Sequence, residues 1–333
     1  MRFYYALLAS SAALLLSCRL VNAQSSSPSL VGIPLLGFVY DGNLKAIRPI
    51  LGVPGAAAVG APLDIGFAVA HAAAAAQLRF VLATSADDGR VRLARIPQSA
   101  PMVRLIEGAL VSPDRVVLSP SARAALLYSQ SAARLQVLTG LPDAPAVTEE
   151  LAVDGLGSAA DLAVSDDGAL VLFVTDSNSV WLFNANSGWM QLSIPGVMAA
   201  VCFRPDGGDG LAVSRSGELY LIRAGGATSY YGQIAGDQIS NPVAVRLSRD
   251  GRRAHVAYAE GLIAEFDSAS GLWKTISCDC RPTALDAVNS AAMFRVNDLS
   301  TGPVMLFDGS GANLRMWFVP IERPSSGAPE NAQ

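Results

Sequence analysis

One stretch, residues 161–192, constrains the fold of this chain more than any other: DLAVSDDGALVLFVTDSNSVWLFNANSGWMQL. Asp, Gly, Asn or Ser separates its short apolar runs, which cover residues 162–164, 170–175, 180–183 and 190–194. Short apolar runs bounded by turn residues predict strands joined by tight turns, so we expect a four-stranded antiparallel meander. One such sheet cannot bury both of its faces alone, and it needs copies of itself on either side.

The turn between the first and second runs recurs along the chain. We place it at His71, Ser119, Ser165, Arg204, Ser248 and Asn289, at intervals of 48, 46, 39, 44 and 41 residues. These intervals bracket the roughly 40–45-residue period of propeller blades. Three of the turns read SDDG, RPDG and SRDG, in which Asp and Gly let the backbone reverse within a few residues. Their aspartates are therefore interpreted as turn residues.

The number of blades depends on the N-terminal part of the repeat region. A hairpin at residues 35–51, around Asp41-Gly42-Asn43, matches the second half of a repeat. The Gly/Ala/Pro connector at residues 54–62 has too little side chain to pack as a strand. We expect an all-β protein, a β-propeller of seven blades (six complete, one partial and N-terminal), because such rings usually close by pairing the chain ends. The alternative is six blades, if the hairpin lies outside the ring. The propeller domain spans residues 35–323, and a disordered tail follows at residues 324–333.

The motif VSDDG at residues 164–168, followed by FVTD at 173–176 and by Ser187-Gly188, resembles the YVTN-type repeat of bacterial cell-surface and periplasmic β-propellers, a relative of the WD40 architecture. Residues 247–271 are similar. The resemblance covers residues 64–320, closely in two blades and mainly by spacing elsewhere. It implies an architecture and not an activity, because propellers of this type serve as binding platforms, lactonases and redox-enzyme scaffolds.

Composition narrows the classes of partner. Hydrophobic residues make up 51% of the chain and charged residues only 16%, which suits strands that neighbouring sheets cover on both faces. The net charge is −4, the only lysines are Lys45 and Lys274, and the arginines are scattered. A nucleic-acid-binding protein needs a basic stripe, so we expect no nucleic-acid partner.

The N-terminal residues 1–23 have the layout of a secretory signal peptide. Arg2 precedes an apolar run at residues 4–16, which is too short for the ~20 residues that span a bilayer. Cleavage after Ala23 would leave a polar linker at residues 24–34 and no transmembrane helix. Alternatively, Leu15-Leu16-Ser17-Cys18 resembles a lipobox, with Cys18 as the lipidated first residue of a lipoprotein. Both alternatives predict export to the periplasm, the cell surface or the medium.

Three cysteines remain after the signal, in a compartment that permits disulfides. They are Cys202, Cys278 and Cys280, an odd number, so at least one thiol is free or pairs elsewhere. A Cys-x-Cys pair can also bind a metal, but no His lies close in sequence to complete the site. A structural bridge or inert thiols are therefore favoured.

Residues that begin the innermost strand of each blade should surround the mouth of the central channel, where propellers commonly bind ligands. Here these residues are Asp64, Asp114, Asp161, Asn241 and Arg281. Their carboxylate and amide oxygens could hold Ca²⁺, as in a lactonase-like hydrolase with a metal-polarised substrate. Arg281 argues against a cation and suits a carboxylate neighbour instead.

Catalytic motifs are missing from the sequence: there is no Gly-x-Ser-x-Gly, no His-Glu-x-x-His and no P-loop, and the only histidines are His71 and His255. We therefore predict a non-enzymatic binding or scaffold module for a protein or cell-envelope ligand, with the lactonase-like hydrolase as the alternative. Exposed aromatic residues would be its contact points. The candidates are Trp189, Tyr230, Tyr231 and Trp273.

Overall fold

The structure, a computed structural model, describes residues 34–97, 101–234, 240–288 and 292–321. The predicted signal peptide, the lipidation site Cys18, residues 24–33 of the linker and the tail at 324–333 lie outside the described residues. Within these ranges no helix is long and apolar enough to cross a bilayer. The helix present there is a single 3-10 turn, Leu299–Thr301.

Seven antiparallel sheets form a ring, which confirms the prediction of a seven-bladed all-β propeller. Blades 1 and 2 contain β1 (Leu35–Asp41), β2 (Ala46–Val53) and β3 (Ala56–Val59), then β4 (Val69–Ala75), β5 (Phe80–Ser85), β6 (Val91–Arg95) and β7 (Met102–Leu105). Blades 3 and 4 contain β8 (Arg115–Leu118), β9 (Ala125–Ser129), β10 (Arg134–Thr139) and β11 (Ala146–Ala152), then β12 (Ala159–Val164), β13 (Leu170–Thr175), β14 (Val180–Asn184) and β15 (Gly188–Leu192). Blades 5 and 6 contain β16 (Met198–Phe203), β17 (Gly210–Ser214), β18 (Glu218–Ile222) and β19 (Thr228–Gln233), then β20 (Pro242–Leu247), β21 (Arg253–Tyr258), β22 (Leu262–Asp267) and β23 (Leu272–Ser277). Blade 7 contains β24 (Asp286–Ala287), β25 (Met293–Arg295), β26 (Val304–Asp308) and β27 (Arg315–Val319).

Blade 1 differs from the sequence-based expectation. The N-terminal hairpin supplies its inner strands β1 and β2 rather than the second half of a blade, and the connector contains a third strand, β3. Alanine has low strand propensity, but here tertiary contacts decide: Ala57 is 8% exposed and packs opposite Gly52. Ile321 forms a parallel bridge with Val59, and the Val59 N–H donates to Pro320 O at 2.8 Å. This bridge occupies the fourth-strand position and joins the two ends of the ring.

The hydrophobic core lies between the blades. Between blades 3 and 4, for example, Phe173 is fully buried, and its ring meets the rings of Tyr128 and Trp189 edge-on, each at 6.0 Å. Full burial of one such side chain contributes about 1.5–3 kcal/mol. Because each sheet is covered on both faces, the alternate residues of one strand pack against different neighbours.

Turns between first and second strands also connect neighbouring blades. Asp166 of blade 4 accepts the Ser121 N–H of blade 3 at 2.7 Å and the Asp206 N–H of blade 5 at 2.8 Å. The predicted turns at Ser119, Ser165, Arg204 and Ser248 are confirmed. The placement at His71 is wrong, because this residue lies within β4 and the chain turns later, at residues 76–79. Asn289 lies outside the described residues.

Candidate functional site

The central channel widens into a cavity of about 560 Å³, within the range of small-molecule sites. Its wall comes from the inner strands of all seven blades, β1, β4, β8, β12, β16, β20 and β24. The wall contains apolar residues such as Phe38 and Val117 as well as charged ones. The charged wall residues are Asp114, Arg115, Asp161, Arg246, Asp286, Arg295 and Asp298, with His71 beside them.

Strand register shows how the charges are distributed around the ring. In blades 2 to 6, one residue of the inner strand pairs with the last residue but one of the second strand. In blades 2, 3 and 4 this inner-strand residue is His71, Arg115 and Asp161, respectively. The same position in blades 5 and 6 holds Ala200 and Ala244. This register position is therefore polar in blades 2 to 4 and apolar in blades 5 and 6. Arg246 of blade 6 and the group Asp286, Arg295 and Asp298 of blade 7 add further charges to the wall.

Asp161 is the carboxylate at this register position in blade 4. Its Oδ2 accepts the Val201 N–H of blade 5 at 2.8 Å. Burial raises the pKa of Asp161, whereas the backbone N–H groups and then the guanidiniums of Arg246 and Arg115 oppose this increase. The net pKa lies above that of an ordinary aspartate, so the site stabilises the negative charge incompletely.

Three arginines share the channel, and their partners differ. Arg295 forms ion pairs with both Asp286 and Asp298. Arg246 lies 3.9 Å from Asp286 Oδ1, beyond hydrogen-bond distance, and donates to its own neighbour Val245 O at 2.9 Å. Arg115 donates to Ala160 O of blade 4 at 2.8 Å.

Two of the five residues predicted for the channel rim, Asp114 and Asp161, lie in the cavity wall. Asp114 Oδ2 accepts the Gln130 N–H at 2.7 Å, so it also fixes a turn. Asp64, Asn241 and Arg281 are not among the wall residues. Asp64 accepts the Gly66 N–H at 3.0 Å, the Asn241 side chain donates to Glu260 at 2.7 Å, and Arg281 is exposed.

Sequence reasoning missed Arg115, Arg246, Asp286 and Arg295. Arg246 and Asp286 interrupt apolar first runs of their repeats, which was an available signal. A charged side chain on the innermost strand can reach solvent through the channel, because neighbouring blades cover the faces of the sheet. We expected Arg281 to be the neighbour of these carboxylates. Instead, Arg246 and Arg115 are the arginines that act on Asp161.

In the part of the chain that the structure describes, no group of three or more His, Cys, Asp or Glu residues is arranged to hold a metal ion.

The three cysteines separate into a bridge and a buried thiol. Cys278 and Cys280 form a disulfide after β23. Cys202 is a free thiol on β16, 2% exposed, and burial raises its pKa to about 12. This thiol is therefore protonated at neutral pH and behaves as a core residue, although it borders the cavity.

Of the four aromatic residues predicted as contact points, two are exposed and two are packed against the protein. Tyr230 is 61% exposed and Trp273 is 40% exposed, on the outer strands of blades 5 and 6. Trp189 packs against Phe173, and the Tyr231 hydroxyl donates to Gly251 O at 2.8 Å. Only two of the four thus lie open at the outer surface.

Comparison with known proteins gives the architecture. No family model matches the chain, and no curated protein matches it. A solved structure, a functionally unknown protein from Desulfotomaculum acetoxidans DSM 771, is similar with a TM-score of 0.62 and 14% sequence identity, over 87% of this chain and 100% of that one. At this identity the likeness concerns the fold alone, and the protein is accordingly described as a seven-bladed β-propeller.

Proposed function

We propose that the protein is a non-enzymatic binding module of the cell envelope that takes a small polar ligand, or a polar group of an envelope component, into its central channel. The observation that carries this proposal is the cavity of about 560 Å³, whose wall combines seven charged side chains with apolar ones. We propose further that residues 1–23 direct export and that the chain is a divergent member of the YVTN-type repeat proteins.

The partners of the charged groups support binding rather than hydrolysis. Arg295 forms ion pairs with Asp286 and Asp298, and backbone N–H groups hold Asp161 and Asp114. The charges are thus fixed in place by the scaffold, as a recognition site requires, because preorganised groups lose little freedom when a ligand binds.

Rigidity of the ring supports the same function. The side chains that reach the cavity lie on strands of packed sheets, and Asp166 connects three successive blades. Sites built on strands hold their geometry better than sites built on loops.

The proposal can be tested by filling the channel with a large side chain. Ala73, on β4 in the cavity wall, is replaced by Trp, and Ala269, in an exposed turn between β22 and β23, is replaced by Trp as the control. Native mass spectrometry after incubation with a small-molecule extract of the source cells should show bound ligand for the wild type and A269W. The folded A73W variant should show none.

Two results contradict the proposal. Equal ligand retention by A73W would place binding outside the channel. Conversion of the ligand to a product by the wild-type protein would show an enzyme.

A further inference from the structure

We propose that the channel ligand is a small organic oxyanion, a carboxylate or a phosphate ester, held between the guanidinium groups of Arg115 and Arg246. This inference rests on the proposed function and specifies the ligand class of the same site. It follows from the partners of each charge around the cavity.

The acidic side chains of the channel already have donors. Asp286 and Asp298 pair with Arg295, Asp114 accepts the Gln130 N–H, and Asp161 accepts the Val201 N–H. A cationic ligand would therefore compete with partners that the protein supplies.

The two arginines lack equivalent partners. In the described part of the chain, Arg115 has no carboxylate at ion-pair distance and is exposed, with the Ala160 carbonyl as its acceptor. Arg246 has Asp286 only at 3.9 Å, and its side chain is 31% exposed. A guanidinium presents several N–H donors in a planar fork that matches a carboxylate or a phosphate. Both side chains therefore keep donors for an incoming oxyanion.

Arg115, Asp161 and Arg246 all line the same cavity. Both guanidiniums also act on the carboxylate, because they oppose the increase in the pKa of Asp161 that burial causes. Ala244, at the register position of Asp161 in blade 6, puts a short side chain in the cavity wall and leaves space there. Apolar wall residues such as Phe38 and Val117 could contact the organic body of the ligand. Such a wall favours an organic oxyanion over an inorganic one.

Isothermal titration calorimetry at low salt compares ligands that share one body: glucuronate, glucose 6-phosphate and glucose, with citrate as a smaller polycarboxylate and sulfate as an inorganic anion. At least one organic anion should bind, and glucose should bind at least tenfold more weakly. Preference for glucuronate or citrate would indicate a carboxylate ligand, and preference for glucose 6-phosphate a phosphate ester.

The variants R115Q and R246Q should each raise the Kd of that anion by about 10- to 100-fold, the range for loss of a hydrogen bond between charged groups. R315Q is the matched control, because Arg315 is exposed on the outermost strand of blade 7. D161N should leave the affinity unchanged or increase it, because it removes a negative charge beside the ligand.

Three results would overturn this inference: no binding of any organic anion at millimolar concentration, equal binding of glucose, or loss of binding in D161N with no effect of R115Q and R246Q. The last result would indicate a cation site. If the extract experiment detects a neutral ligand that A73W excludes, the binding function stands and the oxyanion assignment fails.

Discussion

Replacing the buried Glu265 by Gln should destabilise blade 6, where this residue lies on the third strand, β22. The Glu265 side chain is 4% exposed and faces His255 Nε2 at 2.9 Å, Lys274 Nζ at 3.0 Å and Arg253 Nη1 at 3.7 Å. Burial raises the pKa of Glu265, but the hydrogen bonds from His255 and Lys274 outweigh burial, so the net pKa is lowered. The carboxylate is thus hydrogen-bonded to His255 and Lys274 and lies at ion-pair distance from Arg253.

The expected loss of unfolding free energy in E265Q depends on how exposed those three partners are. Breaking a fully buried ion pair costs about 3–5 kcal/mol. Lys274 is 42% exposed and Arg253 is 33% exposed, so water can solvate them after the change, whereas His255 is 1% exposed and remains buried. We therefore expect a loss near that of one hydrogen bond to a charged group, roughly 2–3 kcal/mol. Thermal unfolding followed by circular dichroism should show a Tm decrease of about 4–10 °C.

The pH dependence gives a second readout. Because the folded-state pKa is lowered, this stabilisation is complete above the unfolded-state value of about 4.3 and is lost as the pH falls through the folded-state pKa. E265Q should lack that part of the acid destabilisation. The exposed Glu107 supplies the control E107Q, which should keep the wild-type Tm at neutral pH. An E265Q protein with wild-type Tm and an unchanged acid profile would refute the assigned role of the carboxylate.

Three further substitutions test the packing. F173A should cost about 3–5 kcal/mol in urea unfolding, because Phe173 is fully buried; a cost below 1 kcal/mol would contradict the described core. G232A should cost about 1–3 kcal/mol in the same assay, because the added Cβ would lie 2.1 Å from the Phe266 ring; unchanged stability would contradict this close approach. D166A should cost about 1–3 kcal/mol, because it leaves two backbone N–H groups without their acceptor; equal Tm values for D166A and the wild type would show that the link between blades is dispensable.

Much of the fold was predictable because turn chemistry and burial act locally. The SDDG turn at Ser165 is fixed by its own residues: the Ser165 hydroxyl donates to Asp167 at 2.6 Å, and the Leu170 N–H donates back to Ser165 Oγ at 3.0 Å. Blade 2 lacks such a turn, and its Ala-rich strand gave no marker, so the turn was misplaced at His71. Strand β3 was missed for a similar reason, because Ala56–Val59 becomes a strand only through its neighbours β2 and Ile321.

The site was less predictable than the fold. The prediction placed Asp114 and Asp161 at the channel because they lie near the starts of inner strands, and both residues line the cavity. Whether such a residue faces the channel depends on the backbone around it. Asn241, just before β20, has a φ of +50° and donates to Glu260 in the turn after β21, and it is not among the wall residues. Likewise, the pairing of Arg295 with Asp286 depends on cross-strand register, which one repeat considered alone does not specify.

The seam between blades 1 and 7 has a consequence for synthesis and for mechanical loading. Blade 1 takes its three strands from residues 35–59, and Ile321 fills the fourth-strand position. The ring therefore closes through this bridge and through face-to-face packing of side chains such as Leu36 and Val59 against Val304 and Val319. During translation the apolar face of blade 1 therefore stays exposed to solvent until blade 7 has left the ribosome. Under tension applied at residues 34 and 321, the same seam should part first, because it can open without dismantling any complete sheet.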